Sequence, residues 1–307
     1  MSTDTTTSTK HVSVLLHESI DNLDLDPGKI FLDGTLGGGG HSALVAERFG
    51  NDIDIIGLDR DNEALKRSEE RLRTLTTSFY PKQESFKNID TVLTGLGIKH
   101  VDAILLDLGI SSDQLDARGR GFSFQRDEPL DMSMTEGEEF NAKAIVNEFD
   151  EKALELILRG FGEEKFAWRI AREIVNRRDP SKGGKPFETT FELVEAVRAA
   201  TPAAYHRGKL HPATRTFQAL RIAVNAELQA LEEGLDKGFA ALSIGGRFAI
   251  ISFHSLEDRI VKNYFRDRIS EGKARSITKK PITPSEEEVK QNPRSRSAKL
   301  RIIEKTG

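Results

Sequence analysis

Asp33-Gly34-Thr35-Leu36-Gly37-Gly38-Gly39-Gly40-His41 is the stretch on which the reading of this chain turns. It follows a short apolar run at 30–32 and precedes a helical pattern at 42–49, so its glycines fall where a strand becomes a helix. Glycine lets the backbone approach a ligand closely, and open α/β sheets bind their ligands at the carboxyl ends of strands. Asp59 closes the next apolar run, 53–58, nineteen positions after Gly40. A carboxylate at that place typically accepts hydrogen bonds from the ribose hydroxyls of a nucleoside cofactor. The pair indicates either a dinucleotide or S-adenosylmethionine, the bland alternative being a glycine-rich turn beside a solvated Asp. The spacing leans toward the methyl donor. A dinucleotide fingerprint G-x-G-x-x-G started at Gly37 meets Ser42 where the third glycine belongs, and started at Gly34 it meets Leu36 in place of the second.

Outward from the loop, short apolar runs alternate with charged amphipathic segments between 29 and 108, the pattern of βα units feeding a parallel sheet. A helix is expected over 62–75. A strand over 78–85 is interrupted by Pro81, and the run 101–108 is the most strand-like of all, nearly continuous as in a strand covered on both faces. From 111 to about 212 only helical periodicity appears, at 153–158, 166–175 and 191–200; there Phe166 and Trp168 read as core. The α/β rhythm then returns with a long helix from 216 to about 242, broken near Gly234. After it come a turn at Gly245-Gly246, a strand over 247–252, a helix over 256–268 and a last strand near 298–304, suited to an antiparallel finish.

Composition narrows the chemistry. The 307 residues carry 45 Lys and Arg against 49 Asp and Glu, a formal net charge of -4, and 37% are hydrophobic, which excludes disorder throughout. There is no cysteine, so disulfides, thiolate zinc sites, iron–sulfur clusters and Cys nucleophiles are all excluded. Methylation at pyrimidine C5 through a covalent Cys adduct falls with them, whereas direct transfer to an amine needs no such nucleophile. Residues 1–10 are rich in Ser and Thr and lack the basic flank and apolar run of a signal peptide, so they read as a disordered tip. No window approaches eighteen apolar residues, and a soluble, cytoplasmic protein away from membranes is expected.

The fourth strand ends Asp107-Leu108-Gly109-Ile110-Ser111-Ser112, with Gln114 beyond. In a methyltransferase sheet that position abuts the transferred methyl group. An exocyclic amine on a base is a poor nucleophile because its lone pair is delocalised into the ring, so an acceptor for its N–H groups helps to free the pair. The alternative role for Asp107 is that of a turn-forming residue ending the strand.

These segments, taken with His11-Val12-Ser13-Val14-Leu15-Leu16, Leu58-Asp59-Arg60-Asp61, Arg120-Gly121-Phe122-Ser123-Phe124, Pro129-Leu130-Asp131-Met132, Gly162-Glu163-Glu164, His211-Pro212-Ala213-Thr214-Arg215-Thr216-Phe217-Gln218 and Ser252-Phe253-His254-Ser255-Leu256-Glu257-Asp258-Arg259, resemble in content and order the bacterial ribosomal RNA small subunit methyltransferase H family, also called MraW. The resemblance spans about 10–304, and the two late motifs are its most specific parts. It implies an α/β fold, an S-adenosylmethionine-dependent methyltransferase (Rossmann-like) sheet with an inserted helical domain. The sheet domain would take 11–112 and 213–307 and the helical substrate-recognition insertion 113–212. It further implies an enzyme, an rRNA (cytosine-N4-)-methyltransferase acting on 16S ribosomal RNA near the decoding site, within the small ribosomal subunit. The resemblance asks for no metal and is compatible with a homodimer. Carried over by position, the donor-binding residues are Gly39, Gly40, His41, Asp59, Phe86, Asp107 and Gln114, with Phe86 flanking the adenine and Asp107 shared with catalysis.

On the substrate side, Arg198, Arg207, Lys209, Arg215 and Arg221 form a stretch free of acids, and 259–305 holds fourteen Lys or Arg against six Asp or Glu. Such stretches can neutralise phosphates while the total charge stays negative, though a charge run can equally be a solvated face. Phe122 and Phe124, in an Arg- and Gly-rich loop, could stack on an extruded cytosine or pack the insertion. His211, Arg215 and His254 join them as substrate-side candidates from the family motifs. The rivals are a dehydrogenase on the same sheet and an assembly factor without chemistry.

Overall fold

A computed structural model describes residues 13–109, 119–135 and 139–307. The chain divides into two compact units, one of 1–112 with 231–307 and one of 113–230. Among the described residues no helix is long and apolar enough to cross a membrane.

The first unit is built on seven strands: β1 (Ile30–Asp33), β2 (Asp54–Asp59), β3 (Phe79–Gln83), β4 (Val101–Asp107), β5 (Leu242–Ser252), β6 (Ala274–Ser276) and β7 (Lys299–Lys305). They lie in the order β3-β2-β1-β4-β5-β7-β6. The pairs from β3 to β5 are parallel, and β7 runs antiparallel to both β5 and β6. The apolar runs are continuous because both faces of the sheet are covered. Phe31, Ile55, Ala103, Leu105, Ala249 and Ile251 point into one core, shared with α1 (Leu16–Asp21), α2 (Gly40–Phe49) and α3 (Asn62–Leu72). Their neighbours Leu32, Ile56, Ile104, Leu106, Phe248 and Ile250 point into the other, shared with α4 (Ile89–Gly95), the 231–241 portion of a helix at 227–241, and α12 (Ser255–Ser270). The remaining helix of this unit is α13 (Glu286–Gln291).

The expected mixed α/β sheet with an antiparallel finish is present, and its details differ where local pattern is weak. Pro81 does sit in a strand, which is possible because β3 is an edge paired only with β2. The long helix is two, α10 (Thr214–Asn225) and α11 (Glu227–Ala241), and the break falls at Ala226, which takes a left-handed φ of 48°. Gly234 lies inside α11 instead: a Cβ there would stand 2.5 Å from Phe86 Cδ2, so the glycine admits a ring and breaks nothing. Gly245 and Gly246 lie within β5, where the register against β4 slips between Leu242 and Arg247.

The second unit is helical, with α5 (Ala142–Glu148), α6 (Glu151–Gly162), α7 (Ala167–Arg178), α8 (Thr190–Ala200), α9 (Ala203–His206) and α10. The boundary expected near 212 falls just before α10, which belongs to this unit.

Candidate active site

The chain leaves β1 for β2 and β3 on one side, then returns to lay β4 and β5 on the other, so the carboxyl ends of β1 and β4 flank the point where strand order reverses. That crevice is the usual ligand site of an open α/β sheet. Two carboxylates end its strands, Asp33 on β1 and Asp107 on β4.

Asp33 is buried, its Oδ2 accepting from Ser42 Oγ at 2.7 Å and its Oδ1 from the Thr35 amide at 3.3 Å. Burial outweighs both bonds and pushes its pKa up to about 6. Thr35 turns its hydroxyl the other way and accepts from the Asp107 amide at 2.6 Å, which ties the glycine loop to the end of β4. Among the described residues, Asp107 Oδ1 is buried with no hydrogen-bond partner. Burial first, then the charges of Asp33 and Glu257, hold the Asp107 carboxyl well above the usual carboxylate range. A buried carboxylate oxygen without a donor is costly, so this arrangement suits a ligand that brings N–H groups or positive charge.

Asp59 anchors the loop from the end of β2. Its Oδ2 accepts from the Gly37 amide at 2.8 Å and its Oδ1 from the Asp61 amide at 2.9 Å. Burial raises its pKa against the opposing effect of these bonds. Each oxygen keeps a second lone pair, so the carboxylate can still accept from a ligand's hydroxyls. Gly39 caps α2 with a left-handed φ of 68° and Gly40 begins the helix. A side chain at Gly34 would have its Cβ 2.3 Å from Leu106 Cδ2 and 3.1 Å from Phe86 Cβ, so only glycine fits between β4 and Phe86. Phe86 therefore lies beside the loop, with Gly234 against its ring edge. His41 is buried, its Nε2 3.2 Å from the Val14 carbonyl oxygen. Gln114 lies outside the described residues.

His254 caps α12. Its Nδ1 accepts from the Glu257 amide at 3.4 Å, and Glu257 Oε2 accepts in return from the Phe253 amide at 2.8 Å and the His254 amide at 3.3 Å. His254 Nε2 stands 3.1 Å from Glu257 Oε1 at an angle too bent for a hydrogen bond. The motif thus sets the carboxylate that helps to raise Asp107. Thr35 and Glu257 are the site residues that sequence reasoning did not single out; a hydroxyl directly after the strand-ending Asp33 and an acid three residues after an N-cap were their signals.

The other substrate-side candidates lie in the second unit. Phe122 is buried, with the Arg120 guanidinium 5.9 Å from its ring centroid. Phe124 stacks on His211 at 4.6 Å between centroids and 6° between planes, and meets Phe217 edge-on at 5.6 Å. His211 Nδ1 accepts from the Ala213 amide at 3.2 Å, and burial together with nearby Arg198 pushes its pKa down. Arg215 Nη1 donates to the Glu163 carbonyl at 3.0 Å. Trp168, expected in the core with Phe166, is instead 46% exposed. Both fit helical periodicity, but Phe166 precedes α7 while Trp168 lies on its outer face.

The MraW methylase family model matches residues 8–306. The chain belongs to the MraW methylase family. Proteins called ribosomal RNA small subunit methyltransferase H are similar over nearly the whole length. The one from Trichlorobacter lovleyi is 46% identical, covering 97% of this chain and 98% of its own. That from Synechococcus elongatus is 49% identical, covering 96% and 94%, and that from Clostridium botulinum (strain Loch Maree / Type A3) is 46% identical, covering 96% and 99%. Among solved structures, a rRNA methylase from Streptococcus thermophilus aligns over 97% of this chain and 99% of its own at 13% identity and a TM-score of 0.47, too distant for any argument to rest on.

Proposed function

We propose that this methylase transfers a methyl group from S-adenosylmethionine to the exocyclic N4 amine of a cytidine in 16S ribosomal RNA near the decoding site, within the small ribosomal subunit in the cytoplasm. The observation that carries the reading is Asp107 Oδ1, buried and without a donor at the switch point of the sheet. The donor supplies an activated methyl on a sulfonium, and the crevice residues suit it. Asp59 accepts from its ribose hydroxyls, Phe86 flanks the adenine, and the backbone at Gly39, Gly40 and His41 receives the remainder, with Gln114 closing the set.

Two kinds of N–H donor meet at Asp107, the ammonium group of the methionine portion and the cytosine amine, and its free oxygen accepts from one of them. In-line attack would form the N4–methyl bond as the sulfur–methyl bond breaks, leaving the donor as a neutral thioether, with one N4 proton passing to water. The protein contributes position and electrostatics. The absence of cysteine fits transfer to an amine rather than to C5. The helical unit recognises the RNA. To test the reading, the protein is incubated with labelled S-adenosylmethionine and either free 16S RNA or small subunits from a methylation-deficient strain, followed by nucleoside analysis. N4-methylcytidine is expected in at least one of them, and its absence from both overturns the proposal.

A further inference from the structure

Trp168 is the only tryptophan in the chain, and it is 46% exposed on α7. Large aromatic side chains are on average well buried, so an exposed indole needs a reason. The inner face of α7 is ordinary core, made of Ala167, Ile170, Ala171 and Ile174. The outer face carries Trp168, Arg169 and Arg172, all exposed and within an arc of about 100° at helical spacing, and the exposed Lys165 lies in the turn just before the helix. No carboxylate pairs with these three cations among the described residues. Other exposed arginines are neutralised one turn away, as Arg159 is by Glu155 and Arg73 by Glu69. The two arginines here lie over rings instead. The Arg172 guanidinium carbon stands 5.3 Å from the Trp168 centroid, and that of Arg169 stands 5.8 Å from Phe166. Phe166 in turn meets Tyr205 edge-on at 5.0 Å, and just beyond Tyr205 the exposed Arg207 and Lys209 continue the positive surface.

An exposed flat ring among unneutralised cations is complementary to single-stranded nucleic acid, in which a base offers a π-face and the adjoining phosphates offer charge. We infer that the outer face of α7 is an RNA-docking surface, in which Trp168 stacks on an unpaired base and Lys165, Arg169 and Arg172 hold the flanking phosphates. This rests on the RNA substrate proposed above and adds a contact separate from the transfer site.

The sole tryptophan makes the inference directly readable. The full-length protein is titrated with a short oligouridylate and with a 16S RNA transcript, following tryptophan emission and, on labelled RNA, anisotropy. Emission is expected to be quenched at the concentrations that give the anisotropy change. Trp168→Ala should weaken RNA binding about tenfold while Trp168→Phe keeps most of the affinity. The double variant Arg169→Glu, Arg172→Glu should lower the slope of log affinity against log salt by about two, with donor affinity unchanged. Emission that stays constant while the RNA saturates the protein, with Trp168→Ala binding as the parent does, overturns the inference. So does emission that responds to a ribosomal-protein fraction but to neither RNA. Methyl incorporation into small subunits, measured in parallel, separates the two claims: incorporation without a response at Trp168 removes this surface alone. Absence of incorporation refutes the proposed activity, and quenching by RNA would then still support the surface.

Discussion

Asp33→Asn is expected to make the protein more stable at neutral pH. The Asp33 carboxyl ionises at about 6 in the folded chain against an ordinary 3.8. It is 1% exposed, so solvent screening does not discount the difference. The gap of roughly two units, at about 1.4 kcal/mol each, means that ionising this group in the folded protein removes about 3 kcal/mol of stability. Its sign follows from which state holds the proton more tightly. Below about pH 4 the carboxyl is neutral in both states and the stability is intact. Between about pH 4 and 6 the unfolded chain ionises first, so stability falls as pH rises through the folded value, and above about pH 7 the loss is complete.

Asn never ionises, and it can keep an acceptor for the Thr35 amide while presenting its NH2 to Ser42 Oγ. Re-aiming the Ser42 hydroxyl costs about 1 kcal/mol. Asp33→Asn should therefore be slightly less stable than the parent near pH 4 and more stable by about 2 kcal/mol near pH 7. Urea unfolding of both proteins across that range measures the difference directly. A variant-minus-parent difference that stays flat from about pH 4 to 7 refutes the reasoning.

Asp59→Ala should weaken donor binding tenfold to a hundredfold, about 1.5–3 kcal/mol, and lower thermal stability as well, because the same carboxylate holds the Gly37 and Asp61 amides; calorimetry showing unchanged binding would move the ribose contact elsewhere. Asp107→Asn keeps size but loses charge: a raised donor KM with a smaller fall in kcat marks a partner for the methionine ammonium, whereas normal donor binding with single-turnover transfer slowed about a hundredfold marks a partner for the cytosine amine. A variant normal in both respects would make Asp107 a turn residue. Gly34→Ala should cost about 1–3 kcal/mol in chemical unfolding, since the new methyl meets Leu106 in a closed core. Arg301→Glu should destabilise the fold, because Arg301 Nε is 2.7 Å from Asp258 Oδ1 with Lys299 on the other oxygen, while Arg207→Glu with Lys209→Glu should leave unfolding unchanged and lower the salt slope of RNA binding by about two. Equal salt slopes for parent and variant would leave that pair as a solvated face.

The sheet was legible because its signals are local. A strand covered on both faces must be a run of apolar residues, so β1, β2, β4 and β5 stand out, and Asp33, Asp59 and Asp107 are visible as the residues that end three of them. The order of motifs along the chain likewise needs no contacts to be read, and it led to the family. Elements carried by few residues were not legible. The three residues of β6 form a strand because β7 offers them an edge, and Gly234 stays helical where its missing side chain admits the ring of Phe86, far away in sequence, while the break falls at Ala226.

Charge shows the division most clearly. Arg215 and Arg301 looked as free as Arg207 and Lys209, yet folding gives the first two a carbonyl and a carboxylate. Trp168 and Phe166 share one periodic pattern, and only packing decides which is covered. Sequence alone determined which residues stand at the strand ends, since alternation and apolar runs are properties of neighbours in the chain. Only the tertiary structure decided that Asp107 is left without a donor beside Asp33 and Glu257, because desolvation and charge act through space between groups that the chain keeps far apart.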